Sequence, residues 1–371
     1  MPNWTESMQQ TFEYYIVDPG TWQDIRQLSN VKSASITWDS SSSTLGSATI
    51  DIEESIGEAY IRIYLITIQN GIREKHALGT FLVQTPSTSF DGKTKSISMD
   101  AYTPLLELNE KYPPYGYFVP KYTHIIEQAY KIISTDRKVR APVIEPIIEE
   151  PIIEPIENEE EIKKNKYALK EPFVADPKNT YLTFIQDLIG NVDYIFSIDE
   201  LGRISFTKKP DLDSLQPVWT FDDGNSSILY PDIDMDQDLY GVPNVVEIIC
   251  STNDGVINKT VENNDINSPT SIANRGRRIE YREIDPNMIG DPTDIRVEEY
   301  SKKLLKELSS IEYTITYTHG YCPVHVGDCV RLNYSRAGLN NIKARVISQD
   351  IKCETGCSVT ETAVFVKKLW G

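Results

Sequence analysis

The sequence is short of most features that announce a destination or a chemistry. No run approaches the roughly 18 consecutive apolar residues of a bilayer-spanning helix, and the opening MPNWTESMQQ has neither the basic segment nor the apolar core of a secretion signal. Synthesis in the cytoplasm is the expectation, in which case the sequons at Asn3, Asn225 and Asn258 carry no glycan. Five cysteines in 371 residues are too few for a disulfide framework. Bases are scarce: 37 Lys and Arg against 55 Asp and Glu give a net charge of −18. That balance argues against gripping nucleic-acid phosphates as a main task, because such affinity comes from clustered cations. A protein that merely lets DNA pass is compatible with it. What the chain does have is apolar mass, 40% hydrophobic residues including 21 tyrosines. This excludes disorder throughout and, at this length, suffices for two or three domains.

Catalytic signatures are missing as well. Neither G-x-S-x-G nor H-E-x-x-H occurs, nor G-x-x-x-x-G-K-[ST], nor G-x-G-x-x-G after a strand. The four histidines, His76, His124, His319 and His325, are scattered; the last two share a loop region, and no flanking sequence marks either as a general base. With 55 acids, paired carboxylates can be drawn almost anywhere, so a glycosidase-like pair has no specificity. The Glu159–Glu161 run reads as a solvated charge block. The densest basic spot is NRGRR, with Arg275, Arg277 and Arg278, and it reads as a solvated turn before a contact for phosphates or an acidic partner. Cys322, Cys329, Cys353 and Cys357 fall within 36 residues, in CPVHVGDC and CETGC. The first spacing is wide for a zinc knuckle, so reduced core thiols are expected, with a metal site and a disulfide as alternatives. No catalytic residue, metal ligand or cofactor is assigned.

The first hundred residues read as short strands, Ala34–Trp38, Ala48–Ile52, Tyr60–Ile68 and Gly79–Val83, separated by Ser, Gly, Asn and Asp. A hairpin is expected between Ser87–Phe90 and Lys95–Met99 around Asp91–Gly92. Thr103–Pro104 opens a short Leu-rich helix, and a second helix is expected from Thr123, with Ile125, Ile126, Ala129 and Ile133 at helical spacing. Thr180 is the N-cap of a third, burying Leu182, Ile185, Leu188 and Ile189. Tyr194–Ile198 and Arg203–Phe206 flank the turn Asp199–Gly202. Further strands are expected at Val245–Cys250, Thr314–Tyr317, Cys329–Tyr334, Lys343–Ile347 and Ser358–Val366. One amphipathic helix lies before the second of these, started by Asp291–Pro292 and carrying Val297, Tyr300, Leu304, Leu308 and Ile311 on one face.

Residues 141–171 stand apart. Pro142, Pro146, Pro151 and Pro155 recur every four or five residues among 9 acids and 4 bases, which forbids a continuous helix and denies a sheet its donors. An extended, solvated loop that adds little to the fold is the expectation; the isoleucines leave an edge-strand ligand for a partner as the sharper alternative.

Several of these segments resemble bacteriophage tail hub proteins. GTFLVQTPSTSFDGKTKSISMDAYTPLLELNE (Gly79–Glu110) resembles the stretch where a G-x-F strand and a hairpin lead to a Leu-rich helix. YLTFIQDLIGNVDYIFSIDELGRISF (Tyr181–Phe206) resembles that family's next segment, a helix, a strand, a D-x-x-G turn and a strand. PNVVEIICS (Pro243–Ser251), NDINSPTSIANRGRRIEY (Asn264–Tyr281) and HVGDCVRLNY (His325–Tyr334) resemble later segments in the same order. The resemblance spans nearly the whole chain apart from the Pro/Glu segment, which looks like an insertion.

It implies an α+β, mainly β fold: two antiparallel barrel-like domains, 1–105 and 236–371, an α+β insert over 106–235 containing the loop at 141–171, and a helical insertion near 264–312. The implied function is a non-enzymatic hub of a tail tip or baseplate. Three copies form a ring of pseudo-six-fold symmetry that adapts the hexameric tail to a three-fold tip and surrounds the channel. The implied partners are two further copies, a distal tail or tail-tube ring protein, the tape-measure protein and a central spike or tip protein, with DNA passing without specific binding. The implied location is the virion, after assembly in the host cytoplasm. Some relatives carry C-terminal lysozyme, protease or receptor-binding regions; here the sequence ends at Trp370–Gly371, so neither wall degradation nor host recognition is expected of it. One alternative is a glycan-binding or glycan-degrading tail component, with Tyr112, Tyr115, Tyr117 and Tyr122 as a sugar platform. Another is a six-fold distal ring protein.

Overall fold

Among the described residues strands take 47% and helices 14%, so the chain is α+β and mainly β. The structure, a computed structural model, describes residues 2–368 apart from 54–55, 91, 94, 136–137, 153–164, 211, 213, 238, 253–254 and 287–291. Seven strands come first: β1 (Gln9–Val17), β2 (Asp24–Leu28), β3 (Val31–Asp39), β4 (Gly46–Ile52), β5 (Tyr60–Gln69), β6 (Ile72–Phe90) and β7 (Lys95–Tyr102). Helix α1 (Leu106–Asn109), β8 (Phe118–Val119), α2 (Ile125–Ser134), β9 (Phe173–Val174), α3 (Tyr181–Gly190), β10 (Tyr194–Ile198) and β11 (Ile204–Lys208) follow. Next are β12 (Pro217–Asp222), β13 (Leu229–Gln237), β14 (Val245–Thr252), β15 (Gly255–Glu262), α4 (Ile272–Arg275), β16 (Glu280–Ile284), α5 (Asp294–Leu308) and β17 (Ser310–Gly320). Then come β18 (Cys329–Tyr334), β19 (Leu339–Lys352) and β20 (Ser358–Lys368). These elements form two compact units, Met1–Asp232 with Tyr317–Glu361, and Ile233–Thr316 with Thr362–Gly371.

The first unit is built on the strand order β19-β3-β4-β7-β6-β5-β1-β2, antiparallel at each pairing. On the far side of β19 lies β18, antiparallel to it, and β18 in turn pairs with β12 in parallel. The first eight residues of β5, YIRIYLIT, are all buried, which explains why this strand reads as a continuous apolar run rather than an alternation. Residues Gly79–Val83 and Ser87–Phe90, two separate strands by sequence, belong to the single strand β6; irregular pairing with β7 between Val83 and Thr85 lets one strand absorb Pro86. Asp91 of the expected turn lies outside the described residues, but Phe90 does pair with Lys95. Gly79 is required by its neighbour, since a Cβ there would lie 2.3 Å from the Phe81 ring; this is the physical content of the G-x-F pattern.

Helices α2 and α3 share one core with the β10–β11 hairpin, in which Ile126, Ala129, Ile133, Leu182, Ile185 and Leu188 meet Phe196 and Ile204. Each such Ile or Leu contributes about 1.5–3 kcal/mol on full burial. Thr180 caps α3 by accepting from Thr183 N at 3.3 Å, as its position predicts.

The expectation for residues 141–171 holds along 142–152, which are mostly exposed and, apart from a bridge at Val143, outside helix and strand, but not at the ends. Ala141, Tyr167 and Leu169 belong to that same buried core, Leu169 N donates to the Thr123 carbonyl at 3.0 Å, and Val143 bridges Ile204. The prolines exclude a helix, but Pro142 still offers its carbonyl to Ile204 N at 2.9 Å, so the segment is anchored at both ends. Residues 153–164, with Pro155 and Glu159–Glu161, lie outside the described residues.

In the second unit, β14 is flanked by antiparallel β15 and parallel β16. Helix α5 covers one face, placing Val297 and Leu305 against Val246, Ile248 and Cys250. Its N-cap is Thr293, accepting from Arg296 N, whereas Asp291 lies outside the described residues. The helix stops at Leu308: Ser309 N bonds the Leu305 carbonyl at 2.8 Å, and Ile311, expected on the helical face, is instead part of β17.

Candidate functional site

The turn Asp199-Glu200-Leu201-Gly202 brings together more polar side chains than any signature in the sequence suggests. Gly202 adopts φ +77°, and a Cβ there would come within 2.9 Å of Thr80 Cβ and 3.1 Å of the Trp22 ring. The carbonyls of the turn face outward to donors of the sheet. Leu201 O accepts from Trp22 Nε1 at 2.7 Å and Arg62 Nη2 at 3.2 Å, and Glu200 O accepts from Thr80 Oγ1 at 3.1 Å. Arg62, 5% exposed, also donates Nε to Thr80 Oγ1 and Nη1 to Asp24 Oδ1, each within 2.9 Å. The guanidinium thus fastens the hairpin to β5.

The Glu200 carboxylate lies 2.9 Å from His325 Nε2, whose Nδ1 is 3.4 Å from Asp328. Burial disfavours the charged ring, but hydrogen bonds to Asp328 and Glu200 outweigh it and push the His325 pKa up to about 10. The side chain remains 47% exposed, so solvent screens much of that attraction.

A second cluster is wholly buried. Glu361 accepts from Tyr317 OH at 2.6 Å and from Gln349 Nε2 at 2.6 Å, and Gln349 Nε2 also donates to the Val324 carbonyl. His319, like Glu361 0% exposed, holds Nδ1 2.7 Å from the Gly320 carbonyl and Nε2 3.2 Å from Glu361 Oε1. Nδ1 must therefore donate. Nε2 makes no hydrogen bond of good geometry. The cluster ties together three strands, with Tyr317 and His319 on β17, Gln349 on β19 and Glu361 on β20.

A third fastener joins sheet to helix. Glu107, the one acid in the Leu-rich α1, accepts from Tyr60 OH and from Arg140 N at 3.0 Å, and burial together with that contact pushes the Tyr60 pKa up.

The residues singled out by sequence do not converge on a reaction centre. His319 is a strand residue rather than a loop neighbour of His325. His124 caps α2 and stacks on Tyr167 at 5.6 Å. His76 contacts Thr67 Oγ1 and the edge of Trp4, and burial lowers its pKa. Cys322, Cys329, Cys353 and Cys357 are buried free thiols; burial raises the Cys357 pKa to about 12 and raises those of Cys322 and Cys353 too. Among the described residues no three His, Cys, Asp or Glu side chains are placed to hold a metal ion. Arg275 donates to the carbonyls of Val242 and Leu239 at 2.7 and 2.9 Å, and Arg278 pairs with Glu262 and Glu280. The basic spot is thus largely consumed inside its own unit. Tyr117 packs on Tyr181 and Phe184, while Tyr112 and Tyr115 are exposed, so the four tyrosines are not one platform.

The NDINSPTSIANRGRRIEY stretch is a loop locked from within. Asn263 and Asn244, both fully buried, bond Ser268 Oγ at 2.9 Å and the Arg277 carbonyl at 2.9 Å respectively. Ser271 caps α4, and Gly276 closes it in the left-handed conformation. Sequence reasoning missed Arg62, Glu107 and Glu361. The available signal was a lone charge beside apolar residues, in YIRIYLI, LLEL and TETAVFV, which a strand or helix tolerates only when the charge is paired.

No protein-family model matches the sequence, and no curated protein matches it. Solved structures do. A tail protein from Neisseria meningitidis MC58 aligns over 97% of this chain and 98% of its own, with TM-score 0.61 and 11% identity. The 43 kDa tail protein of prophage MuSo2 from Shewanella oneidensis aligns over 95% of this chain and 98% of its own, with TM-score 0.59 and 12% identity. An E. coli protein described as a component of the type VI secretion system, structurally similar to T4 bacteriophage tail proteins, aligns over 96% of this chain and 78% of its own, with TM-score 0.51 and 9% identity. Over 95–97% of its length, this chain shares its fold with these tail and secretion-system proteins.

Proposed function

We propose that the chain is a structural hub of a bacteriophage tail tip or baseplate. It assembles as a trimeric ring with pseudo-six-fold symmetry, adapts a hexameric tail to a three-fold tip and surrounds the channel for the tape-measure protein and DNA. Its neighbours are a distal tail or tail-tube ring protein on one side and a spike or tip protein on the other, in a virion assembled in the host cytoplasm. The observation that carries this reading is the end-to-end alignment with two tail proteins, 97% and 95% of this chain on 98% of each. The site supports it from the other direction, because the convergent polar groups are spent on holding strands and helices together. Polar clusters that serve as fasteners suit a chain that acts by its shape. Its acidic balance suits a channel wall, since like charge keeps DNA from sticking. Native mass spectrometry of the purified assembly tests the reading. Three copies are expected; six would replace the hub by a six-fold ring.

A further inference from the structure

The β10–β11 hairpin has two outer edges, and the described chain covers only one. Along β11, Ile144 N donates to the Ile204 carbonyl at 2.8 Å and Ile204 N to the Pro142 carbonyl at 2.9 Å, so Pro142–Ile144 lies beside it as a short parallel extension. Strand β10 pairs with β11 alone among the described residues. The register gives the direction of its remaining groups. Lys209 N–H bonds the Asp193 carbonyl and Asp199 N–H the Arg203 carbonyl, so the odd-numbered residues of β10 exchange bonds with β11. The N–H and C=O groups of Tyr194, Phe196 and Ile198 point the other way.

A groove of about 650 Å³ runs along all five residues of β10 and is faced by Trp38, the Ser40–Ser43 turn, Gly327 and Arg345. That volume lies within the roughly 300–1,000 Å³ of ligand clefts. None of its described lining residues is acidic, although the chain has 55 acids to 37 bases. The groove has two cations. Lys208 meets Glu149 at 2.7 Å, and Arg345 has no carboxylate partner among the described residues.

We propose that this groove is a strand-docking site. It takes an extended, acidic and aliphatic segment of a partner protein, which adds to the free edge of β10 while one of its carboxylates meets Arg345. Main-chain bonds to a sheet edge supply affinity for almost any extended segment, and selectivity falls to the alternate side chains and the charge. The hairpin already accepts this chemistry on its other edge. There the acidic, aliphatic stretch VIEPIIEE bridges β11 at Val143 and places Glu149 on Lys208. The proposal stands on the groove and does not depend on the tail reading.

The test uses the full chain and a fluorescein-labelled peptide EIEVEIE, with KIKVKIK and an EIEVEIE N-methylated at alternate residues as comparisons. Saturable binding of EIEVEIE is expected in fluorescence anisotropy, together with slower amide hydrogen exchange over residues 194–198. KIKVKIK and the N-methylated peptide should bind at least about tenfold more weakly, and Arg345→Glu should weaken EIEVEIE by a similar factor. If Arg345→Glu does not fold, Arg345→Gln takes its place, and the peptide series needs no variant. No binding of EIEVEIE, equal binding of any two peptides, or protection confined to residues outside the groove overturns the proposal.

Discussion

Glu361 is wholly buried and meets Tyr317, Gln349 and His319 at once. Breaking such a cluster from one side strands the remaining groups, at about 3–5 kcal/mol when a charge loses its partner. Glu361→Ala is therefore expected to lower the unfolding free energy by about that amount in urea titration. Tyr317→Phe, which removes one donor to the carboxylate, should cost about 1.5–3 kcal/mol. Losses below about 0.5 kcal/mol in both variants would show that the cluster does not hold the strands. His325 gives the pH-dependent counterpart. Its folded pKa is raised above the unfolded value of about 6.5 to about 10, so its contribution is complete below pH about 6.5 and is lost as the pH rises through 10. Screening keeps the difference between wild type and His325→Gln to about 1 kcal/mol or less. A gap that widens between about pH 7 and pH 10 in thermal melts would contradict the assignment.

At the scale of elements, the glycines of two turns separate backbone strain from docking. Gly202 and Gly338 have nearly the same φ, +77° and +74°, but a Cβ would meet Thr80 and Trp22 at the first and nothing within 4 Å at the second. Alanine costs about 1–2 kcal/mol for the left-handed backbone at either site. Gly202→Ala should cost clearly more than Gly338→Ala, and equal costs would mean that the turn is not seated on the sheet. Which elements are legible in the sequence follows from the same physics. Helices α2 and α3 and the β10–β11 hairpin are local: an N-cap at Thr180, Ile and Leu at helical spacing, and a glycine that only that turn needs. Strands β1, β2, β12 and β16 are not, because their partners rather than their residues define them. QQTFEYYIV is ordered by its register with β5, and β12 by parallel pairing with β18 more than a hundred residues away. Residues 141–171 are the sharpest case. Composition says solvated loop, but Tyr167 and Leu169 are core residues that no periodicity marks. Replacing 141–171 with a Gly/Ser linker should cost several kcal/mol, from about 1.5–3 kcal/mol per large buried side chain. A melting temperature unchanged by the replacement would restore the loop reading.

For the whole molecule, charge is the quantity that sequence states outright and structure does not relieve. Each chain carries −18, so three would bring 3 × −18 = −54 into one ring, and the described ion pairs balance charges mostly within each unit. Assembly must then work against long-range repulsion that ordinary salt screens over about 10 Å at 0.1 M. The likeness to tail proteins was legible only as an order of five individually weak motifs. Each of those examined above proves to be a constraint of the fold: the G-x-F crossing at Phe81, the seated D-x-x-G turn and the polar-locked loop at Asn263. Because those constraints are internal, they place no demand on the net charge of the surface. The proposed ring should therefore associate more strongly as NaCl rises from about 0.02 to about 0.5 M, through screening of like charge. Sedimentation velocity at fixed protein concentration measures this directly. Dissociation with rising salt would mean that ion pairs between copies outweigh the repulsion, and the interface would then have to be sought among the exposed arginines and lysines rather than among apolar surface.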